Sequence, residues 1–313
     1  MVLCDDTNGS PPRTSARTPP LPEFPMQAPR PWTSPRLKLL TLTALIGSLS
    51  VAGTALAHDF WIIPDLFTFA ADSTVHLSAR AGTKFPEGTA VQLTRIADAR
   101  LIGTKGEMKI TDMAVDNGAL RLHQRPKDAG QYLVVVGLTP SVTRSIPSGL
   151  LRFLRAEGAA AEADRIEAAH TLAGQDSVVF HAASYASTVV QVGRGGPKAF
   201  TLSAGAPLQF APVSDPLGLH VGDTLQITML GLGKPVAGLA IEAKPAADTT
   251  KSAASPSPWL TLKADAKGVV SLPLVSAGAW ILRSAFVSAH PGGTVNEYDI
   301  ARVTYVLSVG AKH

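Results

Sequence analysis

Short runs in which every second residue is apolar set the strongest limit on how this chain folds. Val75, Leu77 and Ala79 alternate with His76, Ser78 and Arg80, and Leu120 and Leu122 alternate with Arg121 and His123. A period of two puts one face of a strand into a core and leaves the other in water, a pattern that no helix reproduces. Residues 132–136 form a continuous apolar run closed by Gly137, as expected of a strand covered on both faces. With 27 Gly and 24 Pro to punctuate such runs and only 17% charged residues, the chain reads as mainly β.

The rhythm breaks between residues 147 and 172. Leu150, Leu151, Phe153 and Leu154 follow a helical spacing after Pro147-Ser148, which is expected to cap the start, and Gly158 ends it. An alanine-rich segment follows to His170 and predicts a second short helix. Residues 178–192 return to strand, and a Gly-rich turn near 193–198 separates them from further alternating runs at 208–210, 225–229, 259–263, 269–274, 280–283 and 303–307. The expected architecture is two immunoglobulin-like or transthyretin-like β-sandwich modules, at 58–198 and 199–313, with a helical insert in the first.

Residues 1–57 read as an address. Arg36 and Lys38 precede an apolar stretch from Leu39 to Val51, and Ala55-Leu56-Ala57 offers small residues at a cleavage site. Cleavage after Ala57 implies export to the periplasm, with no membrane span left in the mature chain. The only cysteine, Cys4, lies in this leader, so the mature chain has neither disulfides nor thiolate ligands. From His58 onward 23 basic residues stand against 21 acidic ones, a balance that excludes nucleic acid as a partner.

Cleavage at that bond makes His58 the first residue. A terminal histidine offers its α-amine and its imidazole Nδ1 to one ion, and both lose their protons readily near neutral pH. Nitrogen donors of this kind suit nickel, cobalt, copper and zinc. Asp59 is placed to orient the imidazole, or to remain a solvated charge. The apolar run Phe60-Trp61-Ile62-Ile63 predicts a buried first strand that holds the terminus. The remaining histidines are scattered, with no paired spacing. His76 and His123 lie on the polar phase of their strands and are able to share a face. His181 reads as core or ligand, and His290 lies in the loop Ala289-His290-Pro291-Gly292. Hydrolase, zincin and phosphate-loop motifs are missing, which points away from an enzyme.

The opening AHDFWIIP, the segment GAPLQFAPVSDPLGLHVGDTLQITMLGLGKPVAG, the turn KADAKGVVSLPL and the ending AGAWILRSAFV resemble a bacterial exported family, long catalogued as a domain of unknown function, that is linked to nickel and cobalt uptake. The resemblance spans residues 58–308. It implies a periplasmic metal-binding accessory protein whose partners are components of a membrane metal transporter. It carries over His58 most directly as a metal ligand. The family's His-Met after the Trp strand is replaced here by Phe286-Val287, which makes His290 the first candidate to complete the site, ahead of His181, His76 and His123. Nickel or cobalt is the favoured ion, with copper or zinc as alternatives. Two other readings follow from the residues: a non-catalytic adhesion or interaction module, and a copper-dependent monooxygenase built on an amino-terminal histidine. Intact-mass measurement of the exported protein is expected to give a chain beginning at His58; any other first residue removes the terminal chelate.

Overall fold

A computed structural model of the chain describes residues 59–246 and 258–312. The leader, His58, His313 and most of the expected loop at 245–258 lie outside the described residues. The first half contributes β1 (Asp59–Pro64), β2 (Thr68–Phe69), β3 (Val75–Gly82), β4 (Thr89–Ala90) and β5 (Ile96–Gly103). It continues through β6 (Gly106–Lys109), β7 (Asp112–Asp116), β8 (Ala119–Gln124), β9 (Gly130–Leu138) and β10 (Ser141–Ser145). Helices α1 (Pro147–Ala156) and α2 (Ala160–Ala168) then lead into the long strand β11 (Val178–Val192). The second half holds β12 (Leu208–Pro212), β13 (Thr224–Gly231), β14 (Lys234–Pro235) and β15 (Ala240–Pro245). It ends with β16 (Leu260–Lys263), β17 (Val269–Pro273), β18 (Gly278–Ala289) and β19 (Glu297–Val309).

These strands form three sheets, and the molecule is mainly β with immunoglobulin-like sandwich packing. A ten-stranded sheet runs β16-β15-β18-β19-β11-β9-β5-β6, with β10 and β2 paired to β11. A five-stranded sheet, β1-β3-β8-β7 with β4, covers one face of it, and a four-stranded sheet, β12-β13-β14 with β17, covers the other. Side-chain alternation decides which residues face which layer. Leu77, Leu120 and Leu122 of the five-stranded sheet meet Leu101, Val134, Val136 and Val190 of the central one. Leu225, Ile227 and Met229 of the four-stranded sheet meet Leu282, Val303, Tyr305 and Leu307 on its opposite side.

The central sheet is continuous because β11 and β19 run parallel, paired from Val179↔Glu297 through Thr188↔Val306. One strand comes from each half of the chain. Parallel neighbours need a long connection, and here the whole second module supplies it.

The helical insert follows the sequence pattern with one difference. Ile146, not a hydroxyl side chain, stands at the N-cap of α1 and makes no side-chain cap bond. Pro147 occupies the first helical position, where its missing N–H costs nothing, so the start depends on proline geometry instead of a Ser148 cap. Gly158 adopts φ 77° and releases the chain into α2, as expected. Leu150, Leu154, Ala163 and Ile166 bury against Phe180, Ala182, Ala285, Val287 and Ile300, the back of β11, β18 and β19. Phe153 stacks on Phe180 with ring centroids 5.0 Å apart.

Beside this helical patch the same face carries a buried charge network. Arg283 donates from Nη1 to both carboxylate oxygens of Asp59, at 3.0 and 3.1 Å, and from Nε to Glu242 at 2.8 Å. Arg302 pairs with Glu157 at 2.7 Å, where burial pushes the Glu157 carboxyl upward against the pull of that guanidinium. Thr304 Oγ1 donates to the Phe60 carbonyl at 2.6 Å and fixes β1 over β19. Trp61 then packs into a cluster with Phe85, Ile281 and Val306. Among the described residues no helix is long and apolar enough to cross a membrane.

Because Leu154 is fully buried between the insert and the sheet, Leu154→Ala is expected to cost about 2–5 kcal/mol. Urea unfolding followed by tryptophan fluorescence checks this; an unchanged midpoint would mean the insert is not part of the cooperative core.

Candidate functional site

The polar residues on the core phase of the central strands point to the site. On β19 the phase that supplies Tyr305, Val303 and Ala301 to the second core continues to Asp299 and Glu297. On β11 the phase of Tyr185 and Ala183 continues to His181. On β18 the phase of Leu282 and Phe286 runs on past the strand end to His290. These four residues therefore emerge on one face of the sheet, just beyond the apolar core, where the interior gives way to water.

Register brings them together. His181 lies directly beside Asp299 on the parallel pair, and the backbone N–H of His290 donates to the Glu297 carbonyl at 3.0 Å. His181 Nε2 donates to Glu297 Oε1 at 2.8 Å, and His290 Nδ1 donates to Asp299 Oδ1 at 2.7 Å. The two imidazoles stack with centroids 4.1 Å apart and planes 9° from parallel. The result is two carboxylate–histidine dyads packed ring against ring and half-buried. On the reverse face of the same strands sit Phe180, Ile300 and Val287 under the helical insert. The insert thus packs directly behind the sheet that carries the cluster.

The donor set fits a divalent transition ion. Ligand atoms of His181, His290 and Asp299 lie within 4.8 Å of one another. An ion with bonds of about 2.1 Å spans donor pairs roughly 3–4.2 Å apart, so modest side-chain rotation closes the set. A carboxylate hydrogen-bonded to the rear nitrogen of a ligating imidazole fixes its tautomer and raises its basicity. In the present arrangement that leaves His181 Nδ1 and His290 Nε2 outside the dyad bonds. Two imidazole nitrogens with flanking carboxylates suit nickel, cobalt, copper or zinc better than calcium or magnesium, which prefer oxygen throughout.

The dyads shift protonation in opposite directions. The hydrogen bond to Asp299 raises the His290 imidazole above its usual range, helped by the negative charges of Asp299 and Glu297. The hydrogen bond from His181 lowers the Glu297 carboxyl, with a backbone N–H from Thr294 adding to the effect.

Of the residues singled out in the sequence, the structure joins His290 to His181. His76 and His123 meet each other elsewhere, on the outer face of the five-stranded sheet. His58 lies outside the described residues. Its neighbour Asp59 does not orient an imidazole among the described residues; its carboxylate is engaged by Arg283, in the middle of β18. His290 follows the end of that extended strand, about 23 Å further along at about 3.3 Å per residue. Sequence reasoning missed Asp299 and Glu297. Their signal was present: acidic residues on the apolar phase of a strand whose start was placed too late, at Val303.

The raised His290 pKa has a definite consequence. The stability that His290 gains from Asp299 is fully present below the unfolded histidine pKa of about 6.5 and is lost as pH rises through the folded value. Proton NMR of the His290 ring is expected to show a midpoint above about 6.5, and Asp299→Asn is expected to bring it back toward that value. A midpoint at or below it would contradict the dyad.

Comparison with known proteins adds the family and little more. No curated protein matches the sequence. Among solved structures, a Salmonella alpha-2-macroglobulin reacted with methylamine aligns over 80% of this chain at 12% identity and a TM-score of 0.22. This chain spans only 15% of that protein's length. The Escherichia coli adhesin FdeC aligns over 80% of this chain and 64% of its own at 16% identity, TM-score 0.22. The mouse nectin-like molecule 4 ectodomain covers 81% of this chain and 64% of its own at 13% identity, TM-score 0.18. Likeness at this level carries no conclusion about this chain. A family model, in contrast, covers most of the chain, from residue 55 to residue 287, and the chain therefore belongs to the family described as a domain of unknown function, DUF4198.

Proposed function

We propose that this chain is an exported, periplasmic protein that binds a divalent transition metal, nickel or cobalt in preference, as an accessory to a membrane uptake system. The observation that supports it best is the convergence of His181, His290 and Asp299 within 4.8 Å, backed by Glu297. The similarity of the HDFW opening to the exported nickel- and cobalt-linked family supports the choice of metal and of a transporter component as partner. The leader-like residues 1–57 support export.

The chemistry of this role is capture and release without reaction. His181 and His290 supply nitrogen donors, and Asp299 supplies negative charge that offsets the ion's own. Glu297 holds the His181 ring in one orientation. Because the site sits at the end of a core and is half-exposed, an ion enters and leaves without unfolding the sheet. Because a proton competes for His290, affinity weakens on acidification, starting at a higher pH than for an ordinary histidine. The amine and imidazole of His58, if cleavage frees them, form a separate nitrogen pair, proposed from the sequence alone.

Calorimetric titration of the mature chain with Ni(II) and Co(II) tests this reading. Tight binding is expected, with at least a tenfold loss in His290→Ala and in His181→Ala, and a smaller loss in Asp299→Asn. A variant with one extra residue before His58 separates the terminal pair: unchanged affinity assigns binding to the sheet cluster. Affinity that ignores both histidine substitutions would sink the sheet site, and no heat with either ion would sink the function.

A further inference from the structure

The five-stranded sheet carries a second pair of converging imidazoles. His76 on β3 and His123 on β8 are direct partners in the antiparallel register, and their side chains leave the sheet on its outer face. Their Nδ1 atoms lie 2.6 Å apart, with ring centroids 4.7 Å apart and planes at 72°. Two imidazoles that meet nitrogen to nitrogen must share one N–H, one ring donating and the other accepting. The Nδ1–H of one ring and the Nδ1 lone pair of the other are then aimed at each other between the strands.

On the third strand, β7, Asp112 lies opposite His123, so one row across three strands reads His76, His123, Asp112. Asp112 is exposed and makes no hydrogen bond or ion pair among the described residues. Arg121 on this face is neutralised by Asp65 at 2.9 Å and also donates to Ser78 Oγ. The converging donors of this row are the two imidazole nitrogens; among the described residues the Asp112 carboxylate does not lie within 4.8 Å of both and supplies only negative charge on the neighbouring strand.

We propose that His76 and His123 chelate a second divalent transition ion through their Nδ1 atoms, with water completing the shell. A tetrahedral ion with bonds of about 2.0–2.1 Å holds two nitrogens roughly 3.3 Å apart. The pair needs to open by about 0.7 Å, which small χ rotations provide while the backbone ladder stays fixed. On binding, the ring that donated through Nδ1 carries its proton on Nε2 instead, so two neutral imidazoles take up the ion without net proton release. The strands hold both rings in place beforehand, which lowers the entropic cost of binding. Imidazole donors select zinc, copper or nickel over calcium and magnesium. The site shares no residue with the His181–His290 cluster and does not depend on it.

The test uses the mature chain carrying His181→Ala and His290→Ala, with one residue added before His58 to block the terminal pair. Titration with Zn(II) is expected to show one remaining equivalent. Adding His123→Gln is expected to weaken it at least tenfold. His76→Gln serves as the second variant if either His123 or its replacement perturbs folding, with near-ultraviolet circular dichroism as the check. In histidine NMR spectra of that parent, His76 and His123 are expected to shift together as zinc is added. Overturning results are no residual zinc binding in the parent, or binding that neither His123→Gln nor His76→Gln changes.

Discussion

The parallel ladder between β11 and β19 is the constraint on which the rest of the structure depends. It joins a strand from the first module to the last strand of the second over a register running from Val179↔Glu297 to Thr188↔Val306. Without it there are two sandwiches with an open edge each; with it there is one ten-stranded sheet with a core on either side. The same register sets His181 beside Asp299. A one-residue slip would turn every side chain of β11 to the opposite face. Val178, Phe180 and Ala182 would leave the helical insert, and His181 would be driven under it. The packing of α1 and α2 on one face thus specifies the polar cluster on the other.

Much of the fold was legible in the sequence because alternation is a local property. The strand expected at 178–192 matches β11, and the helices at Pro147–Ala156 and Ala160–Ala168 fall where the pattern changes period. Strand ends were harder to read. The run at 303–307 proved to be the apolar part of a strand that begins at Glu297, and the run at 280–283 belongs to a strand that continues to Ala289. Apolar patterning stops where the core stops, but backbone pairing continues beyond it. The candidate site occupies that overhang, which explains why His290 and His181 were visible as types but not as neighbours. Their contact depends on pairings between residues more than a hundred positions apart.

The helix start shows the same limit on a smaller scale. Pro147-Ser148 reads as a cap, yet Ile146 takes the cap position and leaves its own side chain 60% exposed. Tertiary packing of Leu150 and Leu154 outweighs a missing cap bond, which is worth about 1 kcal/mol against several for burying two leucines. Asp59 is similar. It has a partner that local sequence does not show, since Arg283 approaches from a distant strand and donates to both oxygens.

Sharing one sheet between two cores also limits how the molecule can be divided. The turn that follows β11 looks like a seam, since the chain passes there from one module to the other. Cutting at that point would strip β11 of a neighbour along most of its length and leave β19 with a bare edge. Neither fragment would retain an intact sandwich boundary, and the carboxylates of Glu297 and Asp299 would part from His181. The two halves are best regarded as a single folding unit in which the histidine–carboxylate cluster is assembled only when both are present.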